Sequence, residues 1–229
     1  MIKKAAKIAF LLVLTAFVSS VVLVLMFRWI PVPFTSMMVV RQAEAFFTEE
    51  PYVEYKWYSW DDINPYMGMA VIAAEDQNFA HHNGFDFKAI QKAIDESRDG
   101  GRSRGASTLS QQVAKNMFLW SGRSWVRKGF EAYFTVLIEL LWPKGRILEV
   151  YVNIAEMGPN VFGVGAASIK YFNREPSEIS RQQAALLAAS LPNPRTHRVR
   201  NPSNYMRSRQ SWILRQINGL GGLQYLEQF

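Results

Sequence analysis

Arg127-Lys128-Gly129-Phe130-Glu131-Ala132-Tyr133-Phe134-Thr135-Val136-Leu137-Ile138-Glu139-Leu140-Leu141-Trp142 is the stretch from which the fold class is read. Phe130, Tyr133, Phe134, Leu137, Ile138 and Leu141 follow the spacing of one face of an α-helix. Pro143 stops that helix. Ile147, Leu148, Tyr151, Ile154 and Ala155 repeat the spacing in a second helix, with Gly158-Pro159 as its expected end. Ser180 with Gln183 is a capping-box pattern that opens a helix over residues 182–191. Asn201-Pro202 suits the start of a last helix, which Gly219 closes. Upstream, residues 34–47, 66–74 and 87–97 read as helices, the second a buried apolar one. Ser107 is placed to cap another that runs to about residue 119. Only residues 54–64, with Tyr55, Trp57, Tyr58 and Trp60, have strand-like character. Residues 99–105 form a glycine-rich basic loop. The domain is therefore mainly α.

Residues 8–27 hold no charge, and twenty residues at helical rise cover a bilayer's hydrocarbon core. Lys3, Lys4 and Lys7 before this run favour a cytoplasmic N-terminus, which puts the rest of the chain outside. The rival reading is a cleaved signal peptide, but Val-Leu-Met-Phe-Arg-Trp is a poor cleavage site. The expected organisation is a cytoplasmic N-terminus and transmembrane anchor over residues 1–30 and one domain over 31–229. The formal net charge is +7, of which Lys3, Lys4, Lys7 and Arg28 supply four. The +3 left to the other 201 residues gives no nucleic-acid signal. With no cysteine, disulfides, thiolate nucleophiles and cysteine metal sites are excluded.

Several chemistries are missing. No phosphate-binding G-x-x-x-x-G-K-[ST] loop occurs, and Ser168 stands where Gly163-x-Gly165 would need a third glycine to bind a dinucleotide. No S-x-x-K occurs, so there is no penicillin-binding acylation site. His81 and His82 are adjacent and cannot share a helix face, which speaks against zinc. What remains is carboxylates, amides, hydroxyls and cations. Glu75 ends the apolar run 70–74, where its pKa can rise enough for a general base; a helix-end glutamate that merely solvates itself fits the same position. Thr108, Gln112, and Lys115 or Asn116 are spaced to share a helix face suited to a sugar and a phosphate, or to solvent. Arg123, Arg127, Lys128 and Glu131 cluster at a helix start, where cations oppose the dipole. An anionic ligand would explain them, and so would an i,i+4 ion pair.

Taken together, these stretches resemble the peptidoglycan glycosyltransferase family, the polymerising module of the class A penicillin-binding proteins. Ala73-Ala74-Glu75-Asp76-Gln77-Asn78-Phe79, with a following histidine, Gly84 and Asp86, looks like the family's first motif. Residues 105–116 (Gly-Ala-Ser-Thr-Leu-Ser-Gln-Gln-Val-Ala-Lys-Asn) look like the second, with Ala106 where many members have glycine. Arg127-Lys128-x-x-Glu131-Ala132 looks like the third; Ile147-Leu148-Glu149-x-Tyr151-x-Asn153 and Gly163-x-Gly165-Ala166-Ala167 match the fourth. Residues 184–188 through Leu191-Pro192-Asn193-Pro194 match the fifth. With a single anchor and no transpeptidase domain, the chain resembles the family's monofunctional biosynthetic members.

The resemblance implies a lysozyme-like, two-lobed helical fold and polymerisation of lipid II into β-1,4 glycan strands, with inversion and release of undecaprenyl diphosphate. Glu75 matches the general base, and Glu131 the second essential glutamate. Lys115 and Arg123 match the cations that hold the diphosphate. Ser107, Thr108, Gln112 and Asn116 fall in the substrate-contacting motif, and Asp76, Arg127 and Lys128 are grouped with the substrate-binding residues. No cofactor is obligatory; a divalent cation, Mg or Mn, is a candidate to assist the diphosphate. The implied ligands are lipid II and the growing strand, in contact with membrane lipid of the bacterial inner membrane and with a periplasmic catalytic domain. Cell-division or other wall-synthesis proteins are candidate partners, and nucleic acid is not. The rivals are a lytic transglycosylase on a similar fold, and a membrane-anchored wall-binding scaffold.

Overall fold

The computed structural model describes residues 2–98, 105–122 and 124–229. Helix α1 (Ile2–Phe27) is the one helix among the described residues long and apolar enough to cross a membrane, and most of it has no protein cover. An extended passage leads to α2 (Ser36–Phe46), whose N-cap Thr35 accepts the Met38 N–H. Helices α3 (Tyr66–Glu75), α9 (Arg181–Ser190) and α10 (Asn204–Gly219) pack on one another. Helix α5 (Leu109–Phe118) packs on α6 (Trp125–Leu141) and α7 (Lys144–Ile154), and α3 against α7 joins the two groups. Helices α4 (Phe87–Arg98) and α8 (Gly163–Phe172) complete the described set. The domain is mainly helical, as the periodicity predicts.

The core follows from the apolar runs. Residues Met67 to Ala73 of α3 are buried on every side, so this short helix is a central strut. Helix α9 opens on the expected capping box, with Ser180 accepting the Gln183 N–H. Helix α5 is capped by Thr108 rather than Ser107, because Gln111 stands three residues after Thr108 and closes a second capping box. The last helix starts at Ser203, whose hydroxyl accepts the Met206 N–H.

On α6 the fully buried stripe is Glu131, Thr135 and Ile138. The aromatic face read from the sequence lies beside it: Phe134 stacks on Phe118 of α5 with ring centres 4.5 Å apart, and Tyr133 meets Phe17 of α1. That face therefore covers two helices instead of filling one core. The strand expected over residues 54–64 shrinks to β1 (Glu54–Tyr55). The reason is a side chain distant in sequence. Asn153 Oδ1 accepts the Tyr58 N–H and its Nδ2 donates to Tyr58 O, both at 2.9 Å, so a side chain takes the groups a neighbouring strand would need. β1 runs parallel to β3 (Val161–Phe162), which pairs antiparallel with β2 (Glu156–Gly158). Gly158-Pro159 thus belongs to a hairpin, and α7 ends earlier, at Ile154.

Gly163-x-Gly165 has a packing reason. Gly163 has φ +76°, and a Cβ there would stand 2.1 Å from Asn153 O; one on Gly165 would stand 2.3 Å from Lys56 O. Gly163→Ala is expected to lower stability by about 2 kcal/mol or more, read from denaturant melts in detergent. Gly219→Ala, with nothing within 4 Å of the added carbon, should lie within about 0.5 kcal/mol of wild type.

Candidate active site

Glu75 closes α3, and Asp76 is the residue on which the helix stops. Asp76 is buried and its carboxylate is fully engaged. Oδ2 accepts the Leu109 N–H at the start of α5 at 2.9 Å, and both oxygens lie within 3.0 Å of His82 Nε2. His82 Nδ1 accepts the Gly84 N–H at 3.1 Å, so its proton sits on Nε2 and is donated to Asp76. The Thr108 hydroxyl accepts the Gln111 N–H and donates to Gly84 O at 2.7 Å. Asp76 and Thr108, both grouped with the substrate contacts from the sequence, spend their polar atoms on the fold. Ser107 is exposed and shares with Glu75 the wall of a cavity of about 190 Å³.

The α3–α5 tie sets the rest of the site. Gln112 is one turn into α5, and its Nε2 donates to Glu75 Oε2 at 3.0 Å. Its Oε1 in turn accepts the Tyr151 hydroxyl of α7 at 3.2 Å. Burial pushes the Glu75 carboxyl above the usual carboxylate range, and Asp76 adds to this; the Gln112 amide, Arg209 and Lys115 act against it without prevailing. Lys115 and Asn116 follow on the same face as Gln112. These three line a second cavity of about 310 Å³ with Arg41, Glu156 and Arg195. Burial lowers the Lys115 pKa; Glu131 and Glu75 oppose the shift, while Arg127 and Lys128 reinforce it. Among the described residues Lys115 makes no ion pair within 4.0 Å.

Glu131 is 3% exposed, on the second turn of α6. Its carboxylate accepts from Arg127 at 3.3 Å and Lys128 at 2.5 Å. The ion pair expected from the spacing is therefore present, and it turns two dipole-opposed cations into an anchored cluster beside Lys115. Arg123 lies outside the described residues. A divalent cation held mainly by a diphosphate would need only one or two protein carboxylates. The two cations occupy both Glu131 oxygens, and no three His, Asp or Glu side chains among the described residues gather as ligands.

Two residues were missed by sequence reasoning. Tyr151 was counted as apolar because its spacing fits a core face, and its ring is indeed buried; only its hydroxyl reaches Gln112. Arg209, far away in the chain, donates to Ala74 O at 2.9 Å beside Glu75. Its signal was weak, one arginine in a helix with several.

A family model described as Transglycosylase matches residues 43–218. A biosynthetic peptidoglycan transglycosylase of Cronobacter sakazakii is 56% identical over 207 residues, covering 90% of this chain and 86% of its own. One of Pseudomonas entomophila is 55% identical over 210 residues, covering 91% and 89%. One of Shigella boydii serotype 4 is 55% identical over 206 residues, covering 89% and 85%. The chain belongs to the transglycosylase family. It is an enzyme, a glycosyltransferase of glycan strand synthesis, and its mainly helical domain suits the lysozyme-like architecture of that family.

A raised carboxyl has a consequence for stability. The fold favours protonated Glu75, so the stability this group contributes is fully present below its unfolded pKa and is lost as pH rises through its folded pKa. Glu75→Gln is neutral at every pH and keeps an oxygen for Gln112. Its melting temperature relative to wild type should rise between pH 4 and pH 8, measured by differential scanning calorimetry at both ends.

Proposed function

We propose that the enzyme elongates glycan strands from lipid II, with Glu75 as general base and Lys115 and Arg123 as the cations that hold the diphosphate. The observation that carries this is the composition of one face of α5. Gln112 holds the Glu75 carboxylate, and one turn further Lys115 enters the neighbouring cavity without a protein counter-ion within 4.0 Å among the described residues. A carboxylate held by Gln112 and a cation one turn beyond Gln112 suit a reaction that needs a proton removed at one end and negative charge received at the other.

The chemistry is a single displacement. The 4-hydroxyl oxygen of the acceptor sugar attacks the anomeric carbon of the donor as its proton passes to Glu75. The bond from that carbon to the diphosphate oxygen breaks, and the electron pair leaves with undecaprenyl diphosphate. Attack opposite the leaving group converts the α donor into a β-1,4 product. A diphosphate needs charge compensation more than protonation, and a buried ammonium supplies more of it than one in water. Glu131 holds Arg127 and Lys128 beside Lys115, so the cluster keeps its positive charge without collapsing onto itself. Burial that raises Glu75 suits a catalytic acid as well as a base. An ammonium without an ion-pair partner among the described residues, and relatives named biosynthetic, favour synthesis over glycan cleavage, and the presence of Glu75, Lys115, Arg123 and Glu131 in the sequence speaks against a scaffold. The positive N-terminal flank of α1 supports a cytoplasmic N-terminus, with the catalytic domain on the periplasmic side of the inner membrane.

Two outcomes test this reading. Purified enzyme with lipid II should make polymer, at a rate that rises with pH through an apparent pKa above the ordinary glutamate range, because the ionised base is the active form. A rate that falls through that pKa, with muropeptides released from sacculi, would mean cleavage. Lys115→Met should fold at least as stably as wild type, since a lysine whose pKa is lowered by burial costs stability when charged. It should lose at least about a hundredfold in turnover, read on a gel of the glycan products.

A further inference from the structure

The last four carbonyls of a helix have no partner within it, and α1 presents its own at the outer end of the membrane span. Each is satisfied. Leu25 O accepts the Arg28 N–H at 3.1 Å, and Met26 O accepts from Trp29 and Ile30. The other two are met by the catalytic domain. Val24 O accepts Trp142 Nε1–H at 2.8 Å, and Phe27 O accepts Arg146 Nε at 3.0 Å and Nη2 at 2.8 Å. Arg146 Nη2 also reaches Ile30 O at 2.6 Å. The exchange is reciprocal, because Arg28 Nη1, just past α1, donates to Leu141 O at the end of α6 at 2.6 Å.

Arg146 is itself braced. Its Nη1 donates to Glu149 Oε2 at 2.7 Å, and its guanidinium lies 5.0 Å from the Trp57 ring centre. From this joint α6 runs back along α1: the Ser20 and Tyr133 hydroxyls are 2.6 Å apart, and Phe17 packs on the Tyr133 ring. Glu131, with Arg127 and Lys128, is two residues from Tyr133. The cation cluster is thus tied in register to the membrane helix.

We propose that Arg146 is a positioning residue for glycan transfer. It clamps the outer end of α1 to the catalytic domain, makes anchor and domain one rigid unit, and so sets the height and tilt of the cleft over the bilayer. A cation on a helix C-terminus is favourable there twice, through the dipole and through the low dielectric at the bilayer edge. The inference rests on the reading that the substrates are lipid-linked. Lipid-held substrates meet the cleft at a depth the membrane dictates, and displacement of reacting groups by about 1 Å lowers rates steeply.

The test uses the full chain reconstituted in vesicles. The protein has no cysteine, so Ala16→Cys with Gly129→Cys gives one spin-label pair across the α1–α6 contact. The distance distribution should be narrow with Arg146 present, broad in Arg146→Ala, and partly restored in Arg146→Lys. Polymerisation of full-length lipid II in vesicles should fall about tenfold in Arg146→Ala, while turnover of a short-chain soluble lipid II analogue in detergent stays within about twofold. A narrow distribution with normal vesicle activity would overturn the proposal, and so would equal loss on both substrates. If Arg146→Ala does not fold, Trp142→Phe keeps an aromatic ring while removing the donor to Val24 and part of the indole's bulk; it should broaden the distribution and lower vesicle activity, and a wild-type result in both would overturn the clamp. Absence of polymer from wild type with either substrate would sink the functional reading alone, since the distance measurement reports on the clamp independently.

Discussion

Asp76 Oδ2 accepts the first N–H of α5, while His82 holds the same carboxylate from the other side. This places an anion on a helix N-terminus in a buried setting, where it binds strongly. The bond joins the C-terminal end of α3 to the start of α5, and the remaining site geometry depends on it. With the ends of the two helices pinned, Gln112 comes level with Glu75 and Lys115 falls one turn further. The capping box of Thr108 and Gln111 then satisfies the next orphan donors of α5, and the Thr108 hydroxyl reaches Gly84 O to close the loop that carries His82. Glu75 and Asp76 are neighbours with opposite duties: one is fully partnered and builds the fold, the other is left underpaired and desolvated.

That division has an energetic cost, which is borne where the chemistry happens. Glu75 is pushed toward its neutral form and Lys115 toward its own, so both charges are disfavoured by the fold. Each partly relieves the other, but neither shift is abolished. The surroundings compensate with rigid structure: α3 is buried along nearly its whole length, Tyr151 holds Gln112, and Arg209 holds the Ala74 carbonyl. Polar strain at the site is tolerated because the frame around it is dense.

Much of this was legible in the sequence, because helices here obey 3.6-residue periodicity and their caps are local signals. The capping box at Ser180 and Gln183, the apolar run before Glu75, and the shared face of Gln112, Lys115 and Asn116 are all short-range patterns. Where the reading failed, long-range contacts decided. Nothing near Tyr58 announces that Asn153, about a hundred residues on, will take both of its backbone groups and end the strand. Thr108 and Asp76 carry the same side-chain chemistry whether they face a sugar or a helix terminus, so only the fold reveals their partners. On α6 the spacing identifies a covered face without saying what covers it. Tyr133 and Phe134 are shielded by α1 and α5, whereas the buried glutamate Glu131 lies on the neighbouring face, where apolar counting does not look.

The membrane helix extends the same logic beyond the soluble domain. A span joined only by its covalent link would leave its terminal carbonyls to water and headgroups, and the cleft would pivot above the bilayer. Here Trp142 and Arg146 accept that role, while Arg28 returns a bond to α6. Two helix ends that would each need solvent satisfy one another instead, and the joint runs into the first turn of α7, whose Tyr151 supports Gln112. The chain of contacts from α1 to Glu75 is then continuous: Phe27 to Arg146, α7 to Tyr151, Tyr151 to Gln112, Gln112 to Glu75. If Arg146 positions the domain as proposed, a Glu75 carboxylate fixed with respect to α1 meets each bilayer-borne sugar at the same depth.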